Sequence, residues 1–121
     1  MIITHTDSKG NRLVVTFKGR VDASQAEKLY AKLQKIFPKL RKGFSVFVDM
    51  SALENMDIRA RVFIERIMDL FDTKGVSKVI RIIPDPGRDI GFNIMSKFHY
   101  SPGVVIHTYN SYQEALDKEP V

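Results

Sequence analysis

The chain has no cysteine, which excludes disulfides and any cysteine-ligated zinc site. No apolar stretch approaches the roughly 20 residues that cross a bilayer. The opening Met1-Ile2-Ile3-Thr4-His5 runs into Asp7 and a charged turn, which is not the pattern of a secretory signal. No linker, internal repeat or low-complexity tract interrupts the sequence. Catalytic signatures are missing too. There is no Gly-x-Ser-x-Gly elbow, and the glycines of Pro86-Gly87-Arg88-Asp89-Ile90-Gly91 do not have phosphate-loop or dinucleotide spacing. His5, His99 and His107 lie on three separate predicted elements, and no pair has the spacing of a metal site. These absences predict a soluble, cytoplasmic protein that is not an enzyme and carries neither cofactor nor metal.

What is present is enough for one folded domain. The 121 residues are 44% apolar and 27% charged, sufficient for a single core spanning residues 1–121. The formal net charge is +5. Much of the excess lies in Lys28, Lys32, Lys35, Lys39, Arg41 and Lys42, several of them in the last turns of a predicted helix, where cations favour the helix dipole. A charge cluster of this kind reads first as a solvated face, so no nucleic-acid partner is expected. Phe92 and Tyr100 alone make too thin a stacking surface to change that.

The chain is organised around Phe44-Ser45-Val46-Phe47-Val48. This short run is β-branched and aromatic, and apolar at both parities, so it reads as a strand buried on both faces. It ends in Asp49-Met50-Ser51, a polar turn follows, and a helical pattern opens after Asn55-Met56-Asp57. Upstream, Ile2 to Thr6 and the alternating Arg12 to Lys18 flank the turn residues Ser8-Lys9-Gly10-Asn11 and form a hairpin. A first helix runs roughly from Ala23 to Phe37, capped by Ser24 with Glu27 or by Asp22 with Gln25, and Pro38 stops it. A second helix runs roughly from Ile58 to Asp72, with Asp57 as N-cap and Gly75 at its end. Lys78 to Ile83 is a strand, and Asp85-Pro86-Gly87-Arg88 is a turn. About Ile90 to Phe98 is a third helix, Val104 to Thr108 the last strand. Ser111 with Glu114 caps a final helix.

The order β-β-α-β-α-β-α-β-α predicts an α/β fold: a mixed, mostly parallel sheet of about five strands with about four helices. In such sheets, partners and ligands gather at the carboxyl ends of the strands. Asp49, Asp57 and Asp85 could meet there; capping and turn bonds are the simpler reading of all three.

This order, with three short motifs, resembles the STAS domain of anti-sigma-factor antagonists and sulfate-transporter tails. The first motif is Gly19-Arg20-Val21-Asp22, closing the second strand. The second is Val46-Phe47-Val48-Asp49-Met50-Ser51, followed by Leu53 and Met56-Asp57. The third is Val105-Ile106-His107-Thr108 with Ser111-Tyr112-Gln113-Glu114-Ala115-Leu116. In that family the loop entering the second helix typically reads Asp-Ser-Ser/Thr-Gly, and a partner kinase that is also an anti-sigma factor phosphorylates its serine. Here Asp57 is kept, Ile58 stands at the serine position, Arg59 follows and Ala60 replaces glycine. Isoleucine cannot accept phosphate, and Ser51 is better placed to bond its local turn. The resemblance therefore implies a docking surface around Asp22, Asp57, Ile58, Arg59 and Arg88 without the phosphate switch. Its partner would be a kinase-like anti-sigma factor or another signalling protein. The competing reading is a small-molecule or lipid carrier with an apolar cleft. The hairpin edge leaves a homodimer open.

Overall fold

The computed structural model describes residues 1–83 and 100–119. Five strands form one sheet in the spatial order β1-β2-β3-β4-β5. They are β1 (Ile2–Asp7), β2 (Arg12–Val21), β3 (Ser45–Met56), β4 (Lys78–Ile82) and β5 (Val105–Tyr109). β1 pairs antiparallel with β2, and every later pairing is parallel. The described residues carry three α-helices: α1 (Ala23–Ile36), α2 (Arg61–Thr73) and α3 (Tyr112–Lys118). The helix expected from about Ile90 to Phe98 lies outside the described residues, as do Asp85, Arg88, Phe92 and His99.

The sheet is covered on both faces, which explains why β3 is apolar at both parities. Leu13, Val15, Val46 and Val79 belong to the main core, with Leu29 and Leu33 of α1 and Ile64 and Ile67 of α2. Phe37, Phe44 and Phe71 close one end of this core, with ring centroids 5.6, 5.9 and 6.3 Å apart. On the other face Val14, Phe47, Ile80 and Ile82 pack under Ala115 of α3. Val46 and Phe47 are both fully buried, although they point to opposite sides.

Two expectations need correction. β3 does not end in a turn at Asp49: it continues to Met56, so Asp49 lies mid-strand, paired with Thr16 and Ile82. The polar composition of Ser51 to Asn55 misled, because this overhang passes the end of β4 and pairs with β2 alone. Its ladder slips twice, between Thr16 and Lys18 and between Gly19 and Arg20 of β2, so β3 carries two bulges. Ser51 donates its hydroxyl to Asp49 at 2.6 Å within the first of them.

Of the two caps read for α1, Asp22 with Gln25 is the one formed, with reciprocal bonds of 2.8 and 2.9 Å. The second correction concerns α2. Ile58–Ala60 is a 3-10 turn, and the regular helix starts only at Arg61. Gly75, just past the end of α2, has φ +92, the left-handed conformation expected of it.

Candidate functional site

The site expected from the sequence lies where β2 and β3 end side by side. Val21 pairs with Met56, and Asp57 N–H donates to the Val21 carbonyl at 2.9 Å. Both strands then turn into helices through an aspartate cap. Asp22 caps α1. Asp57 caps the 3-10 turn by accepting the Arg59 N–H at 2.9 Å.

Arg59 does more than donate its backbone. Its guanidinium reaches both carboxylate oxygens of Asp57, at 3.3 Å from Nε and 2.8 Å from the terminal nitrogen. Arg20 approaches the same carboxylate at 4.0 Å. The side-chain bond from Arg59, backed by its N–H, holds Asp57 down at about 2 from an ordinary 3.8. The same contact raises the pKa of Arg59, and the charge of Asp22 adds to it. Asp22, Asp57 and Arg59 thus form one electrostatic unit at the tip.

Between these charges stands an uncovered apolar pair. Ile58 is 74% exposed and Val62, four residues on, is 50% exposed. That spacing puts both on one side of the helix start. Ala60, at the glycine position of the motif, is fully buried in the main core. So the turn is anchored by Ala60 and presents Ile58 outward. Chemically, the tip has no uncommitted base or nucleophile among its described residues. It offers an apolar contact with a self-neutralised rim.

Asp49 is not part of this tip; its Oδ1 accepts the Ser51 N–H and hydroxyl. Among the described residues no cluster of His, Asp and Glu is placed to hold a metal.

A second polar cluster has no forerunner in the sequence reading. Glu119, directly after α3, is buried against β4 and β5. Its carboxylate accepts Lys78 Nζ at 2.8 Å and the Tyr109 hydroxyl at 2.5 Å, and His107 Nδ1 lies 2.6 Å away. Its carbonyl accepts Arg12 at 2.8 Å, and the Arg12 guanidinium sits 4.1 Å over the Phe47 ring. Burial pushes the Glu119 carboxyl up, but the bonds from Lys78, Tyr109 and His107 outweigh it and hold the group at about 2. The bond to Glu119 in turn pushes Tyr109 up to about 12. The cluster clasps the end of α3 to three strands.

Comparison with known proteins now bears on the whole chain. A family model described as the STAS domain matches residues 3–115. No curated protein matches the chain by sequence. Among solved structures, an unphosphorylated anti-sigma factor antagonist, SpoIIAA, superposes with a TM-score of 0.65 at 16% identity, covering 98% of this chain and 96% of that one. A DUF3478-family protein with a SpoIIAA-like fold from Shewanella loihica gives 0.73 at 14% identity, covering 98% and 91%. An anti-sigma factor antagonist from Mycobacterium paratuberculosis gives 0.60 at 15% identity, covering 98% and 92%. At these identities the structures speak for the fold. The family match, spanning nearly the full sequence, settles membership: this chain belongs to the STAS-domain family.

Proposed function

We propose that the chain is a non-enzymatic regulatory module of the anti-sigma-factor-antagonist type, working in the cytoplasm and docking a protein partner through the tip formed by Asp22, Asp57, Ile58 and Arg59. Arg88 completes this surface in the sequence reading and lies outside the described residues. The partner is a kinase-like anti-sigma factor or another signalling protein.

The observation that carries the reading is the exposure of Ile58, 74%, beside Val62 at 50%. A monomeric fold gains nothing by holding two branched apolar side chains in water at a capped, rigid turn. A partner that covers them gains about 1–2 kcal/mol from Ile58 alone. Docking here runs without phosphate control, because residue 58 has no hydroxyl.

Binding of the captured partner to wild type and Ile58→Asp, by calorimetry, tests the surface. A loss of about 2 kcal/mol or more is expected for a central anchor; equal affinity would remove Ile58 from the interface. Incubation with the partner kinase and ATP tests the second element. No phosphate is expected on the β3 overhang or the turn that follows it, and phosphate recovered on Ser51 would overturn it.

The carrier reading finds less support. The apolar cavity lined by Leu29, Met50, Ile64, Met68 and Tyr100 has a volume of ≈ 40 Å³, far below the roughly 300 Å³ of a small-ligand pocket, and the larger hollow beside β1 is a surface groove rimmed by Gln25, Lys28 and Lys32 rather than an apolar cleft. A native mass spectrum is expected to show the bare chain; a bound mass would revive the carrier.

A further inference from the structure

We infer that the outer edge of β1, with the groove between β1 and α1, accepts an acidic extended segment of a partner protein as an added strand. This surface is distinct from the Ile58 tip and does not depend on it.

β1 ends the sheet, and among the described residues no strand lies beyond it. Its hydrogen-bond phase is fixed by its neighbour. Met1 N donates to the Lys18 carbonyl at 2.9 Å, and Lys18 N–H donates to the Met1 carbonyl at 2.8 Å. Met1 and Lys18 are therefore a bonded pair. Antiparallel ladders alternate bonded and non-bonded pairs. With the register observed, Ile3, His5 and Asp7 bond to β2, and the main-chain groups of Ile2, Thr4 and Thr6 point outward. The register runs through six residue pairs without a bulge, and β1 has no proline or lysine. Those are the devices that normally keep an edge from pairing.

Beside this edge runs a groove of ≈ 420 Å³, with Ile2, Thr4 and Leu29 along its floor and Gln25, Lys28 and Lys32 on its α1 side. Lys28, Lys32 and Lys35 recur along α1 at intervals of four and three residues, so they form one exposed stripe, and the exposed Lys39 follows just past the end of α1. Among the described residues none of the four has a carboxylate partner. Glu27 sits about 100° away around the helix.

The spacing of this stripe fits a strand. α1 returns between the parallel strands β2 and β3, so it runs in the direction of β1. Four helical residues rise about 6 Å, and alternate side chains of a strand lie about 6.7 Å apart. Lys28 and Lys32 therefore face successive same-side residues of a strand added to β1. Glutamates or aspartates at those positions would meet one lysine each.

Charge also selects the occupant. Antiparallel pairing of two β1 edges sets two α1 helices side by side on one face and brings their lysine stripes together. Like charges at that range repel. An acidic segment neutralises the stripe instead.

The test uses the intact chain and a fluorescein-labelled peptide of about ten residues that alternates glutamate with valine, followed by anisotropy at about 50 mM salt. Saturable binding is expected, weakening as salt rises. Lys28→Glu with Lys32→Glu should weaken it about tenfold or more. Thr4→Pro should abolish it, since proline removes an outward N–H without breaking a bond to β2. A peptide N-methylated at every residue keeps every charge but has no N–H left to pair with the edge, and should fail against wild type even if Thr4→Pro misfolds. Ile58→Asp should bind the peptide as wild type does, which separates this surface from the tip. Four outcomes would overturn the inference. One is no saturable binding. The second is binding that survives N-methylation, which means a diffuse attraction for polyanions. The third is displacement of the peptide by duplex DNA or anionic vesicles at lower concentration. The last is a salt-stable dimer in sedimentation that Thr4→Pro dissolves, which would make a second copy the occupant.

Discussion

Replacing Glu119 by glutamine keeps the volume of a buried side chain and deletes its charge. In the folded chain Lys78, Tyr109 and His107 surround that carboxylate at 2.8, 2.5 and 2.6 Å. Burial alone would raise its pKa, but the three bonds win and lower it from 4.5 to about 2. Without solvent screening that difference is about 3 kcal/mol of folding free energy. Water reaches the cluster through Lys78 and His107, whose side chains are 38% and 45% exposed, and screening leaves about 1–2 kcal/mol. For a domain of this size the melting temperature should drop by about 4–10 °C at neutral pH. The sign with pH follows from the lowered value. A carboxylate whose folded pKa lies below its unfolded one stabilises fully above about 4.5, and that contribution fades as pH falls toward about 2. Wild type and Glu119→Gln should therefore differ at neutral pH, and the gap should shrink below about pH 4.5 and close toward about pH 2. Urea unfolding followed by circular dichroism across that range measures it. A gap that stays constant from neutral pH to about pH 2.5, or a variant as stable as wild type, refutes the account of the clasp.

Phe47→Ala should destabilise the fold by about 3–5 kcal/mol, because Phe47 is fully buried and carries the Arg12 guanidinium on its ring; chemical denaturation reads it. Asp22→Ala removes the acceptor of the α1 capping box and should cost about 1 kcal/mol, visible as a lower denaturation midpoint. Gly75→Ala forces a Cβ onto a backbone with φ +92 and to 2.6 Å from Lys42 Cγ. The lysine chain can swing away, so the backbone conformation sets a cost of about 1–3 kcal/mol in the same assay. Ile58→Asp, by contrast, should leave the melting temperature within a degree or two of wild type, because an exposed position changes stability by only about 0.5 kcal/mol. A large loss there would mean that Ile58 serves the fold.

The elements themselves were legible because their signals are local. Alternation in Arg12 to Lys18 fixed β2, the stripe of Leu29 and Leu33 fixed α1, and Pro38 and Gly75 marked ends. The tip was legible for the same reason: Asp57 caps the turn that follows it, and the exposure of Ile58 follows from the burial of Ala60 two residues on. What failed was non-local. Ser51 to Asn55 look like a loop because their side chains meet water, yet β2 pairs with Ala52, Leu53 and Asn55 through a twice-bulged ladder. The choice of Asp22 over Ser24 as cap depends on where β2 lets go of the chain, which no window of residues contains. Glu119 was invisible because its four partners come from β2, β4 and β5 and only meet once the sheet and α3 are assembled.

The two extra residues that β3 holds against β2 bear on how this protein could change length without losing its shape. A bulge residue has no opposite number, so removing one leaves every remaining rung matched while taking out local twist. A deletion in Ser45–Asp49 would instead slide the strand and turn its inward side chains out. Shortening the overhang near Ser51 or Glu54 would thus rotate the Asp57–Ile58 end relative to α1 on an otherwise intact sheet. In this architecture the anchorage of the strand and the bearing of its far end are encoded by different residues, and descent or design could adjust one while holding the other still.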